Sequence, residues 1–134
     1  MKKFKLNNRT VILASHNTGK IAEFEALFLK YNVNIQTIST LGIEDIDETG
    51  KTFEENAVIK VKTVPDGSIG LSDDSGLSIK SLNHAPGIYS ARYAKKLGGW
   101  SKAMKELYFE AKKKNGFSAT FHCVLALKSE NSEI

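Results

Sequence analysis

Two adjacent carboxylates, Asp73-Asp74, stand in the stretch Leu71-Ser72-Asp73-Asp74-Ser75-Gly76-Leu77, at the end of an apolar run. Carboxylates at the mouth of a strand can hold a divalent metal and orient a water, because the strand fixes the first residue and the following loop leaves the next one reachable. The same residues equally suit an acidic turn between two strands, since Asp, Ser and Gly are ordinary turn formers. A second stretch with chemical capacity is Ser15-His16-Asn17-Thr18-Gly19-Lys20, between an apolar run and a helical pattern. Unpaired backbone N–H groups and the helix dipole favour an anion there, and Asn17, Thr18 and Lys20 add donors and one positive charge. It is not a Walker A loop, which would place a glycine where Ala14 stands.

The elements that must position these residues follow from periodicity. Thr10 to Ser15 reads as a buried strand, and Lys20 to Tyr31 as a helix with Ile21, Phe24, Leu27, Phe28 and Tyr31 at helical spacing. A short strand over Val33 to Ser39 and an acidic loop around Glu44 to Gly50 come next. Thr52-Phe53-Glu54-Glu55 has capping-box spacing and opens a helix that Pro65-Asp66-Gly67 ends. Strands at Ile69 to Ser72 and Leu77 to Leu82 flank the Asp pair, and Ala85-Pro86-Gly87 turns the chain before Tyr89 to Tyr93. Ser101 caps a helix carrying Met104, Leu107, Tyr108 and Ala111, with Asn115-Gly116 as its stop. From Ser118 both alternating residue sets are mostly apolar, which predicts a central strand with Cys123 packed inside it.

At 134 residues, 41% apolar and 25% charged, the chain suits a single soluble domain with its own core. One cysteine excludes an internal disulfide, and no Cys/His spacing suggests zinc, so a reducing, cytoplasmic setting is expected. The basic start Met1-Lys2-Lys3 precedes an apolar run, Val11 to Ala14, too short for a signal-peptide core or a membrane span. The formal charge of +4 is uneven: residues 95–114 hold seven Lys against Glu106 and Glu110, and residues 44–55 hold six acids against Lys51. Lysine-rich helix faces are commonly plain solvated surface, so nucleic-acid binding is not expected. The three histidines, His16, His84 and His122, show no ligand spacing. Tyr89, Arg92 and Tyr93 suit structural roles as well as substrate contact.

The order of motifs carries more than any one of them. Ser15-x-Asn17-x-Gly19-Lys20, then Glu48-Thr49-Gly50-x-Thr52-Phe53-x-Glu55-Asn56-Ala57, then Asp73 to Leu77, then Ala85-Pro86-Gly87-Ile88-Tyr89-Ser90-Ala91-Arg92-Tyr93, with Phe121 to Ala126 after them, closely resembles the inosine triphosphate pyrophosphatase (Ham1/RdgB-like) family. The resemblance implies an α/β fold, a partial two-lobed mixed sheet flanked by helices of the ITPase-like (Maf/Ham1) kind, over a single domain at 1–134. It implies hydrolysis of deaminated purine nucleoside triphosphates (ITP, dITP, XTP) to monophosphate and pyrophosphate, with Mg²⁺. Carried over residue by residue, Ser15, His16, Asn17, Thr18, Gly19 and Lys20 bind the triphosphate, and Lys60 faces the phosphates. Asp74 is general base or metal-bound carboxylate, Ser75 contacts substrate, and Glu48 or Asp47 helps hold the metal. The family's later Phe-Gly-Tyr-Asp-Pro and Ser-His-Arg motifs have no counterpart here, which predicts lost base selectivity and apolar surface uncovered around Phe121 to Leu127. The alternative is a non-catalytic remnant or half of a split protein. A homodimer or a complementing chain is the expected partner.

Overall fold

The computed structural model describes residues 4–134, so the basic Met1 to Lys3 lies outside the described residues. The order of elements is β1 (Thr10–Leu13), α1 (Thr18–Leu29), β2 (Asn34–Thr37), α2 (Phe53–Val61), β3 (Ile69–Ile79), α3 (Ser90–Lys96), α4 (Trp100–Lys113) and β4 (Ala119–Lys128), with single 3₁₀ turns at Ser39–Leu41, Lys80–Leu82 and Gly87–Tyr89. The sheet order is β2-β1-β3-β4. β1 pairs in parallel with both β2 and β3. β4 runs against β3: the Lys80 N–H near one end of β3 donates to Ser118 O (2.9 Å), and Lys128 at the far end of β4 donates to Val64 O (2.6 Å). The result is the mixed, helix-flanked α/β sheet that the motif order predicts.

The chain divides into two compact units: 1–50 with 54–73 and 125–134, and 51–53 with 74–124. In the first, β1 alternates between two cores as a buried strand must. Val11 and Leu13 pack with Val33, Ile69 and Leu71 beneath Ile21, Phe24 and Phe28 of α1. Ile12 and Ala14 pack with Ile38, Val64 and Ile43 on the other face. Leu27 and Tyr31, assigned to the same helical stripe by spacing, are exposed. In the second unit, Ile79, Leu107 and Ala111 form a core with Leu77, Leu82 and Tyr93.

Five local expectations are corrected. The largest concerns the Asp pair: β3 runs unbroken from Ile69 to Ile79, so Asp73 to Gly76 is strand and not a turn between strands. Turn-forming residue types are overridden where a strand continues in a sheet, because tertiary packing outweighs weak local preference. Gly76 is there for close approach: a Cβ on it would lie 2.8 Å from the Phe53 ring and 2.9 Å from Ser90 Oγ. Past Ile79 the chain makes a 3₁₀ turn at Lys80–Leu82 instead of continuing as strand. α4 starts at Trp100 behind Gly99, so Ser101 lies inside the first turn and is not the cap. β4 is the last strand of the sheet among the described residues, not a central one. Cys123 on it is exposed rather than packed.

The uncovered surface around β4 is as expected. Ala119, Phe121, Cys123, Leu125 and Leu127, one alternating face, are all exposed, Phe121 by 76%. Among the described residues no helix is long and apolar enough to cross a membrane.

Candidate active site

The Ser15–Lys20 loop is built by short-range hydrogen bonds that its residue types dictate. Asn17 is the N-cap of α1, its Oδ1 accepting from the Lys20 N–H at 3.1 Å. Ser15 Oγ accepts from the Asn17 N–H at 3.1 Å. A short polar side chain at the cap satisfies one of the helix's orphan donors and holds the first turn open toward solvent. Asn17, Thr18 and Gly19 are exposed while Ser15 is buried, so the loop presents its tip from a fixed base. The helix starts two residues before the periodicity places it, at Thr18, because the cap sets the start and not the first apolar residue.

Lys20 reaches from that first turn to β3, where its Nζ lies 2.5 Å from Asp73 Oδ2. Asp73 is 4% exposed and Asp74 5%. In an unbroken strand neighbouring side chains leave on opposite faces, so two adjacent carboxylates cannot both grip one ion from one side. Asp73 belongs to the Lys20 side of β3. Spacing in the sequence missed this partnership, because the two residues are 53 apart and no local pattern carries the pairing.

The acidic segment has its own arrangement. Lys60 of α2 donates to Glu48 Oε1 at 3.3 Å, with the lysine head mostly buried. Asp47 is exposed and Glu48 half-buried. Gly50 donates its N–H to Oδ1 of the buried Asn56 at 2.8 Å, and a Cβ on Gly50 would lie 2.9 Å from Asn56 N. That contact pins the segment to the second turn of α2. An open depression of about 470 Å³ lies over α2 beside Thr49, Gly50, Glu54, Glu55 and Lys62; it is separate from the Ser15–Lys20 loop. Among the described residues no three or more His, Cys, Asp or Glu side chains gather into a metal-holding group.

The remaining candidate residues lie as follows. Ser72 Oγ donates to Ala57 O at 2.5 Å, tying β3 to α2. Ser90 Oγ accepts from the Leu77 N–H at 3.0 Å. The His122 ring stacks on Phe53 with centroids 4.8 Å apart. Tyr93 is in the core, and burial with Glu106 and Glu110 nearby pushes its hydroxyl's pKa up. Tyr89 is exposed, with the Arg92 guanidinium 5.3 Å from its ring centre. Ser75 is a partly buried residue of β3.

Residues 11–134 match the model of the Ham1 family. The chain belongs to the Ham1 family. It is 43% identical over 126 residues to a dITP/XTP pyrophosphatase of Bacillus licheniformis, covering 89% of this chain and 63% of that one. A dITP/XTP pyrophosphatase of Coxiella burnetii is 38% identical over 127 residues, covering 92% and 64%. The solved Ham1 structure from Coxiella burnetii superposes with a TM-score of 0.75 at 35% identity over 93% of this chain and 66% of that chain. The Staphylococcus aureus Ham1 structure gives 0.70 at 34% identity, over 92% and 65%. This Ham1 chain thus spans a little under two thirds of the length of the curated relatives it matches. Its fold and family agree with the motif order read from Ser15 to Ala126.

Proposed function

We propose that the chain hydrolyses deaminated purine nucleoside triphosphates (ITP, dITP, XTP) to the monophosphate and pyrophosphate, with a divalent metal, Mg²⁺, in the cytoplasm. The observation that carries this reading is the strand–loop–helix of residues 10–29, with its capped, solvent-facing N-terminus and Lys20, in a chain matched over nearly its whole length by proteins named for that activity. Backbone N–H groups of Thr18 and Gly19 face an anion at the helix N-terminus, and Lys20 adds a charge that does not depend on geometry as strictly. Lys20 and Lys60 each hold a carboxylate, so triphosphate oxygens must compete with Asp73 and Glu48 for them.

An oxygen-only set of carboxylates suits a hard cation. Mg²⁺ takes one or two carboxylates and fills its shell with water and phosphate. Asp74 with Glu48 or Asp47 would hold it; the half-buried, Lys60-oriented Glu48 is the better supported of the two. The metal supplies neutralisation of phosphate oxygens as the bond breaks. Asp74 accepts the proton of the attacking water, and Ser75 lies beside it to touch substrate.

Pyrophosphate release from ITP and Mg²⁺ tests the reading, with Asp74→Asn expected to fall about 10²-fold or more. Turnover no greater than that of the variant would sink it. The exposed apolar face of β4 favours a second reading, a non-catalytic remnant or a half that works with a second copy or a complementing chain. Activity that appears only when a polypeptide carrying the remaining third of a relative is added would select it.

A further inference from the structure

His16 lies in the Ser15–Lys20 loop, and its ring reaches the acidic segment. Nε2 is 3.0 Å from the Ile43 carbonyl oxygen, and Nδ1 is 3.5 Å from Asp45 Oδ1. A carbonyl only accepts, so Nε2 carries a proton. In a neutral ring Nδ1 is then a lone pair aimed at a carboxylate. Nδ1 is also closed off from solvent, with no hydrogen bond of ordinary length to compensate. A proton on Nδ1 turns that repulsive contact into an attractive one at both ends of the ring.

The surroundings leave the ring to act on one segment. Asp45 faces it from residues 43–48. On the ring's own loop Lys20 is drawn to Asp73 at 2.5 Å. Ile43 is anchored, its side chain against Ile12, Ala14, Ile38 and Val64 and its N–H donating to Ile38 O at 3.0 Å. Beyond Ile43, Asp45 is exposed, so the ring's hold on it bears directly on where Glu48, three residues on, is presented.

We propose that His16 is a positioning residue: its doubly protonated ring clamps the acidic 43–48 segment to the Ser15–Lys20 loop through the Ile43 carbonyl and the Asp45 carboxylate. Its consequence for catalysis rests on the reading of that loop as the triphosphate site. The clamp holds while the ring is protonated and slackens as it loses the proton.

NMR titration of the full chain from about pH 5 to about pH 8 tests it, following the His16 side-chain nitrogens and the backbone amides of 43–48. The Asp45 and Glu48 amides should move with the His16 midpoint. Asp45→Asn, at an exposed position, should flatten the amide response. Amides indifferent to His16, or an amide response unchanged by Asp45→Asn, overturn the clamp. Calorimetry with inorganic tripolyphosphate separates this from the functional reading. Wild-type affinity should fall about two- to fivefold more than that of Asp45→Asn across the same range. An amide response coupled to His16 in a chain that binds no tripolyphosphate supports the clamp and removes the triphosphate site. Binding with equal pH dependence in both proteins removes the clamp.

Discussion

β1 and β4 are both apolar strands, yet they meet opposite fates. Every residue of β1 from Val11 to Leu13 is buried, with α1 over one face and Val64 and Ile38 against the other. β4 is more than twice as long, and the face carrying Phe121, Cys123, Leu125 and Leu127 is exposed. An apolar pattern states that a face has something to gain from cover; the order of strands and helices decides whether it gets it. β1 sits between two parallel partners with crossover helices, which is the arrangement that buries both faces. β4 ends the sheet, and its opposite face is the better buried, with Ala126 and Lys128 inside.

The sharpest way to break this contrast is one truncation in each strand. Leu13→Ala, at a site with no exposure, should cost about 2–5 kcal/mol in urea unfolding. Phe121→Ala should stay within about 0.5 kcal/mol. Equal losses would mean that β4's face is covered in solution, as an associating or complemented chain requires. Next in size is the ion pair beside the Ser15–Lys20 loop. Lys20→Met removes the cation beside the buried Asp73 carboxylate and should destabilise by about 1–3 kcal/mol, read in the same assay. Gly76→Ala forces a methyl onto Phe53 and Ser90 and should cost about 1–3 kcal/mol. If it were neutral, the second half of β3 would be looser than the first.

The smallest effect belongs to β4's own ion pair. Buried Lys128 donates to the exposed Asp66 at 2.8 Å, and Ser132 Oγ donates to the same oxygen at 2.8 Å. The hydrogen bond from Lys128, then that from Ser132, holds the Asp66 carboxyl below its ordinary value. A lowered folded pKa gives stability that is present above the ordinary carboxylate range and is lost as pH falls through the folded value. The thermal midpoints of wild type and Asp66→Asn should therefore differ slightly near neutrality and converge in acid. A gap that persists in acid would show that the carboxylate's charge is not what Lys128 uses.

Much of this was legible in the residues themselves. The strand read from Thr10 to Ser15 and found over Thr10–Leu13, the helix read from Lys20 and found from Thr18, the stop at Asn115-Gly116 and the order of motifs are short-range facts, set by apolar period, cap chemistry and left-handed turns. Asn115 at φ +52° is such a turn residue. The Asp73–Gly76 stretch was illegible for a physical reason: local turn preference is worth less than the strand pairing that pulls those residues straight, and pairing partners are remote in sequence.

What the amino-acid order determined by itself is therefore most of the elements and the family, since both rest on neighbours a few residues apart and on motifs read in succession. What tertiary structure alone decided is which faces are covered and which charges meet. Lys20 finds Asp73 across 53 residues, and Cys123 lies in the open, because burial and ion pairing belong to the arrangement of distant segments, which local period does not encode.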